Sequence, residues 1–428
     1  MGEIQNLIEQ HVSLENCFVK SIQIIEKEDS YVIVPIGFNI RFINCKIGTI
    51  IARDSAIHFL GGSAEDLQLN ECIVSMDAFT VNKSLQAFDT RINIKELPDI
   101  INPVDITLSS LESKINGNIN FTNVESFWNT VSWTDGSGIT SKFINSRVEF
   151  DNCKINLTSE LEIRGTEWYN LNGEDYSFSK PVLIQELESY PSTNDPEIEL
   201  DSNGVPSKNK MRGTAGVGPG SICQFKGLKK LSLTSTGTFD IKNSEVNFYS
   251  LSEINSQSKP FATYTNSCGR VSDCKISSRD NGIKLLESGN LYLNDTELTS
   301  DKVSITIEGS GSNITISKGK FESNSDNCFS INKGLIDLFS VESIKAKKDT
   351  FVGDDNSTII MLNCKTIEAS ENTFNLKSQS VLESENNQTF KGKINFKGEN
   401  SSFLIKGNTS LEASEKVVSG SGVFVSQS

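Results

Sequence analysis

Short alternations of apolar and polar residues run through the chain, as in Val303-Ser304-Ile305-Thr306-Ile307 and Ile314-Thr315-Ile316. A period of two puts every second side chain on one face, so each stretch predicts a strand with one side buried. Asn, Asp, Gly and Ser punctuate these stretches, and such residues suit tight turns. Between the alternations a phrase recurs. It is an apolar residue, two residues of which the second is Asn, Asp or Glu, then Cys, and two places on usually an aliphatic residue. It reads Leu14-Glu15-Asn16-Cys17-Phe18-Val19, Phe42-Ile43-Asn44-Cys45-Lys46-Ile47 and Leu69-Asn70-Glu71-Cys72-Ile73-Val74, and it returns around Cys153, Cys274 and Cys364. Ser or Thr stands in for Cys in Ile241-Lys242-Asn243-Ser244-Glu245-Val246 and Leu293-Asn294-Asp295-Thr296-Glu297-Leu298.

From Cys17 to Cys45 is 28 residues and from Cys45 to Cys72 is 27, and later copies follow at 21 to 30. Coils of that length, each with two or three short strands and polar corners, predict an all-β parallel solenoid in which each coil stacks about 4.8 Å above the last. In this reading the Asn or Asp makes the corner and the Cys, Ser or Thr is a small inward residue. Cys17, Cys45 and Cys72 are then expected in register in one inward ladder. The pattern resembles the right-handed parallel β-helix (pectin-lyase-like) superfamily, and within it phage tail-spike and fibre proteins. The resemblance implies a right-handed parallel β-helix.

Residues 185–220 interrupt the repeat with Pro191, Pro196, Pro206 and Pro219 and the glycines Gly213, Gly216, Gly218 and Gly220. The expected organisation is an N-terminal β-helical lobe over 1–185, a Pro/Gly-rich excursion over 186–221 and a C-terminal β-helical lobe over 222–428. Ile4, Leu7, Ile8 and Val12 fall on one helical face, which suits a short capping helix over the open end of the first lobe.

Composition narrows the partners. The formal charge of −15 over 428 residues opposes binding to phosphate backbones, so no nucleic acid is expected. No apolar run approaches the roughly 20 residues of a membrane span, and the N-terminus lacks the basic start and apolar run of a secretory signal. Nine cysteines is an odd number, and six share one phrase, so buried free thiols are expected rather than a disulfide framework. That fits synthesis in a reducing cytoplasm.

Candidate chemistry is sparse. Asp326-Asn327-Cys328-Phe329-Ser330-Ile331 looks like a polygalacturonase segment, but Asn327 stands where that segment carries its second carboxylate. An inverting hydrolase needs an acid and a base, so no catalytic residue is assigned and the enzyme reading is the weaker one. Arg279-Asp280-Asn281-Gly282-Ile283-Lys284 reads as an ordinary rung, and Asp354-Asp355 as a solvated turn rather than a calcium site. With only His11 and His58, no metal site and no cofactor are expected. Trp128, Trp133, Trp168 and Tyr169 are the candidate glycan contacts if exposed; buried, which is favoured, they plug a bend in the coil.

The expected function is a non-enzymatic structural or attachment protein, a phage virion component made in the host cytoplasm. The alternatives are a polysaccharide hydrolase or lyase and a bacterial surface or secreted adhesin. Partners are expected to be other virion proteins or a second copy, with a host surface glycan as a further ligand. A solenoid ends in unpaired strand edges, so Val423, Phe424 and Val425 are the candidate oligomer contact.

Overall fold

The computed structural model describes residues 22–25, 27–95, 112–135, 138–187, 220–377, 379–386, 389–397, 402–406, 410–412, 416–419 and 423–427. The proposed capping helix, Cys17 and most of the Pro/Gly-rich excursion lie outside them. The described residues are all-β, without a helix, and every strand pairing of stated register is parallel. This is a parallel β-solenoid. The chain divides into two compact units, residues 1–176 with 185–223 and residues 177–184 with 224–428.

In the first unit, coils begin short. Asn39 pairs with Ala56 and Ala56 with Ile73, a step of 17 residues each, and Ile73 pairs with Arg91 at 18. Strands Asn39–Arg53 and Ala56–Asn70 each run through nearly a whole coil. The step from Arg91 to Glu125 is longer because residues 96–111 intervene, and Glu125 to Arg147 settles at 22. In the second unit the step holds at 21 to 23, as in Glu245–Cys268–Asn290–Asn313–Leu335–Thr358–Val381–Ser402–Val423.

This register corrects the expected cysteine ladder. Cys45 lies opposite Gly62, not Cys72. Cys72 stands at another corner, where its amide donates to Thr90 Oγ1 (3.2 Å). The 28- and 27-residue spacings are therefore not coil lengths. The phrase encodes a corner, and each coil has more than one corner that obeys it.

The corner has a simple physical basis. Its first residue takes a left-handed backbone: Asn44, Glu71, Asp89, Asn145, Asn152, Asn243, Asp273, Asp295 and Asn363 all have φ between 46° and 56°. Asn and Asp tolerate that region best. The next residue turns inward and donates back to the carbonyl two places earlier, as Thr90 does to Phe88 (2.7 Å), Ser146 to Ile144 (2.9 Å) and Cys274 to Ser272 (3.2 Å). Only a small side chain with a donor fits, which is why Cys, Ser and Thr interchange. At one corner of the first unit the hydroxyls also join coils. Val124 N–H donates to Ser146 Oγ (3.1 Å), Ser146 N–H to Thr166 Oγ1 (3.2 Å) and Thr166 N–H to Ser221 Oγ (3.2 Å).

The core is a set of in-register stacks. Phe329, Phe351 and Phe374 pair successively, with ring centroids 5.0 and 5.4 Å apart and planes within 10°. Such contacts add about 0.5–1.5 kcal/mol each beyond their burial. In the first unit Trp128, Trp133, Phe143, Phe150 and Trp168 make a continuous aromatic core.

Candidate functional site: a polar trough on an outward face

In a solenoid the inward positions are committed to packing, so chemistry has to sit on outward positions and corners. On one outward face of the second unit, Ser232, Asn255, Ser277 and Thr299 stack in register. The same column continues as Glu322, Lys345, Glu368 and Lys391, which alternate in sign. The first stretch carries no charge. The hydroxyls of Ser232, Ser277 and Thr299 make no side-chain hydrogen bond among the described residues. Asn255 donates to Glu253 (2.5 Å).

These short side chains floor a trough of about 560 Å³. Of the lining residues Lys230 pairs with Glu253 (3.7 Å), and outside the lining Glu297 pairs with Lys320 (2.8 Å), which also reaches Glu342 (3.7 Å). The Lys320 ammonium, bonded to Glu297, holds that carboxyl below the usual range, with Lys275 helping. Gln257, Arg279, Asp301 and Asn324 form the corner wall. Asp301 accepts from Asn324 Nδ2 (3.0 Å). Arg279 is exposed, and among the described residues its guanidinium has no ion pair or side-chain hydrogen bond. Its neighbour Asp280 is paired with Lys302 (2.7 Å). No aromatic or aliphatic side chain lines the trough.

The candidate glycan contacts sit elsewhere. Trp128, Trp133 and Trp168 are at most 2% exposed, so their rings offer no face to a sugar and leave that role. Trp128 donates to Ser126 and Trp133 to the Gly117 carbonyl (3.0 Å). Tyr169 is half-buried in an outward position, with Arg147 5.8 Å over its ring. Burial, then the Glu167 carboxylate, pushes its hydroxyl pKa up.

Asp326 also proves to be committed to its corner. Its carboxylate accepts from the Asn327 amide (3.0 Å) and from Lys348 Nζ (3.1 Å), while Cys328 and Phe329 are buried. Asn327 in turn accepts from the Asp349 amide (3.2 Å) on the next coil. Asp354 pairs with Lys377 (3.2 Å), and no cluster of three potential metal ligands occurs among the described residues. In the segment after Arg279, Gly282 answers a close approach: a Cβ there would lie 2.3 Å from the Ser304 carbonyl oxygen.

One constellation in the first unit was not expected. Arg41 Nε donates to His58 Nδ1 (3.0 Å), and His58 Nε2 meets Asp77 Oδ2 (2.8 Å), with Lys95 3.8 Å from the same carboxylate. Arg41 fixes the tautomer that carries its proton on Nε2, and both ring nitrogens are occupied. The signal was spacing, since Arg41 and His58 share one column and Asp77 and Lys95 share another. The strand Val423–Gln427 pairs with Ser402–Lys406, which places Val423, Phe424 and Val425 opposite Ser402, Phe403 and Leu404.

No protein-family model, curated protein or solved structure matches the chain. Fold and site define its class as a parallel β-solenoid with an uncommitted polar trough on an outward face.

Proposed function

We propose that this chain is a non-enzymatic structural and attachment protein, a component of a phage virion that assembles with a second copy of itself or with neighbouring virion proteins. The observation that carries the reading is the unbroken succession of parallel rungs in each unit. Every coil adds backbone bonds to its neighbours and buries its polar corners, which gives a protease-resistant support with little need for moving parts. No disulfide joins the eight described cysteines and seven of them are buried, which suits folding in a reducing cytoplasm. Lys348 and the turn at Asn327 engage the Asp326 carboxylate, which weighs against the hydrolase alternative. The proposed oligomer contact remains Val423, Phe424 and Val425, whose strand hydrogen-bonds to a single neighbouring strand among the described residues.

An antiserum against the chain tests the location. It should decorate phage particles purified from the source culture. Labelling of the bacterial surface without labelling of particles would overturn the virion reading in favour of an adhesin. Release of new reducing ends or unsaturated products from a polysaccharide panel, lost in Asp326→Ala, would overturn the non-enzymatic one.

A further inference from the structure

We propose that the trough between Lys230 and Asn324 is a binding site for an acidic glycan, with the sugar hydroxyls on Ser232, Ser277 and Thr299 and the anionic group on Arg279. This gives the attachment reading a ligand class and rests on that reading only for its biological setting.

Three independent features converge on that chemistry. The floor offers three hydroxyls without protein partners, each able to donate and to accept, as polyhydroxylated ligands require. The column Ser232, Asn255, Ser277 and Thr299 repeats at the strand spacing of about 4.8 Å, close to the length of one pyranose residue, with hydroxyls on its first, third and fourth members. The lining has no apolar or aromatic side chain, so a ligand would gain there by hydrogen bonds and not by apolar burial.

Charge selects the anion. Asp280 is paired with Lys302 and Asp326 with Lys348, and the Asp301 carboxylate accepts from Asn324 Nδ2, whereas the Arg279 guanidinium lines the trough exposed and without an ion pair among the described residues. A guanidinium presents a planar fork that a carboxylate or a sulfate ester meets with two parallel bonds. The chain carries −15 overall, so a polyanion is repelled from most of its surface and has to be held by a local site.

Isothermal titration of the full chain tests this with three probes: alginate oligomers as the carboxylate arm, dextran sulfate oligomers as the sulfate arm and neutral dextran. At least one acidic probe should bind and neutral dextran should not, and the arm that binds identifies the anion. Arg279→Gln should weaken acidic binding about 10-fold or more, since charged hydrogen bonds are the strong ones. Ser277→Leu should abolish it by filling the floor, with an unchanged β-rich circular dichroism spectrum showing that the outward substitution leaves the fold intact. Arg270→Gln, on a different face where Arg270 lies over Tyr292, should leave binding as it was. Absence of binding by all three probes, equal binding of neutral dextran, or equal loss in the Arg270 and Arg279 variants overturns the site. None of those results depends on whether the antiserum finds the protein on a particle.

Discussion

Removing one corner hydroxyl, Ser146→Ala, isolates what joins successive coils. Ser146 is buried, its Oγ accepts from the Val124 amide (3.1 Å) and its proton goes to the Ile144 carbonyl (2.9 Å). That carbonyl keeps a second donor in the variant, the Asn123 amide at 3.1 Å. The cost therefore falls mainly on the Val124 N–H, buried and left without its acceptor, at about 1–3 kcal/mol, with about 1 kcal/mol for the lost donation. A total of about 2–4 kcal/mol is expected. Amide hydrogen exchange reads it locally, and Val124 should exchange about 30- to 900-fold faster. Ser146→Thr should leave Val124 protected, because Thr90 and Thr166 stand at the same corner in other coils. Ser146→Cys should fall between, its thiol being a weak donor and acceptor. If the alanine variant left Val124 as slow as before, or if threonine cost as much as alanine, the hydroxyl would be filling space and the coil-to-coil argument would fail.

Burial pushes the Cys153 thiol from its ordinary value near 9 up to about 12, and Cys274 and Cys364 up to about 11, so at pH 8 only exposed Cys268 among the described thiols should react with a maleimide. Mass mapping that finds Cys153 modified as fast as Cys268 would contradict this. Because the folded pKa values are the raised ones, the folded state retains protons that the unfolded chain has lost. Stability from these thiols is complete below pH 9 and drains away towards pH 12, and a denaturation series across that range should show the decline. Desolvation also raises the Asp337 carboxyl, one oxygen of which is buried without a partner. Its contribution is present at low pH and lost as pH rises, so Asp337→Asn should stabilise the protein at pH 7 and lose its advantage at low pH. Phe351→Ala, in the middle of its ring stack, should cost about 3–5 kcal/mol by urea unfolding, and Phe351→Leu clearly less.

The parallel solenoid was legible because inward positions carry a repeating constraint. Alternation found the strands, and the Asn-Cys phrase found the left-handed corners at Asn44, Asn152, Asp273 and Asn363. Coil length was misread for a reason that the corners explain. Cys45 and Cys72 obey the same local rule at different corners, so counting from one to the other counts neither coil. The tryptophans failed as glycan contacts because their positions in the strand alternation face inward. Trp128 pairs in register with Ile94 and Phe150, both buried.

The trough was invisible for the converse reason. Ser232, Asn255, Ser277 and Thr299 lie 22 or 23 residues apart, and each is commonplace in its own strand. They become a surface only once the register is known, because stacking turns a sequence interval into a neighbour at strand spacing. The same holds for Arg41, His58 and Asp77, which chain spacing separates and the coils bring within 3.0 Å of one another in turn. Inward residues must repeat because each packs on its copy above and below, and that repetition is what pattern reading detects. Outward residues escape the requirement, so a binding site on a solenoid consists of positions where the pattern says nothing. What marks the trough is a change of chemistry along one column. The column that alternates Glu322, Lys345, Glu368 and Lys391 gives way to neutral side chains beside an arginine without an ion pair among the described residues, and hydroxyls that meet no protein partner are free to meet a ligand.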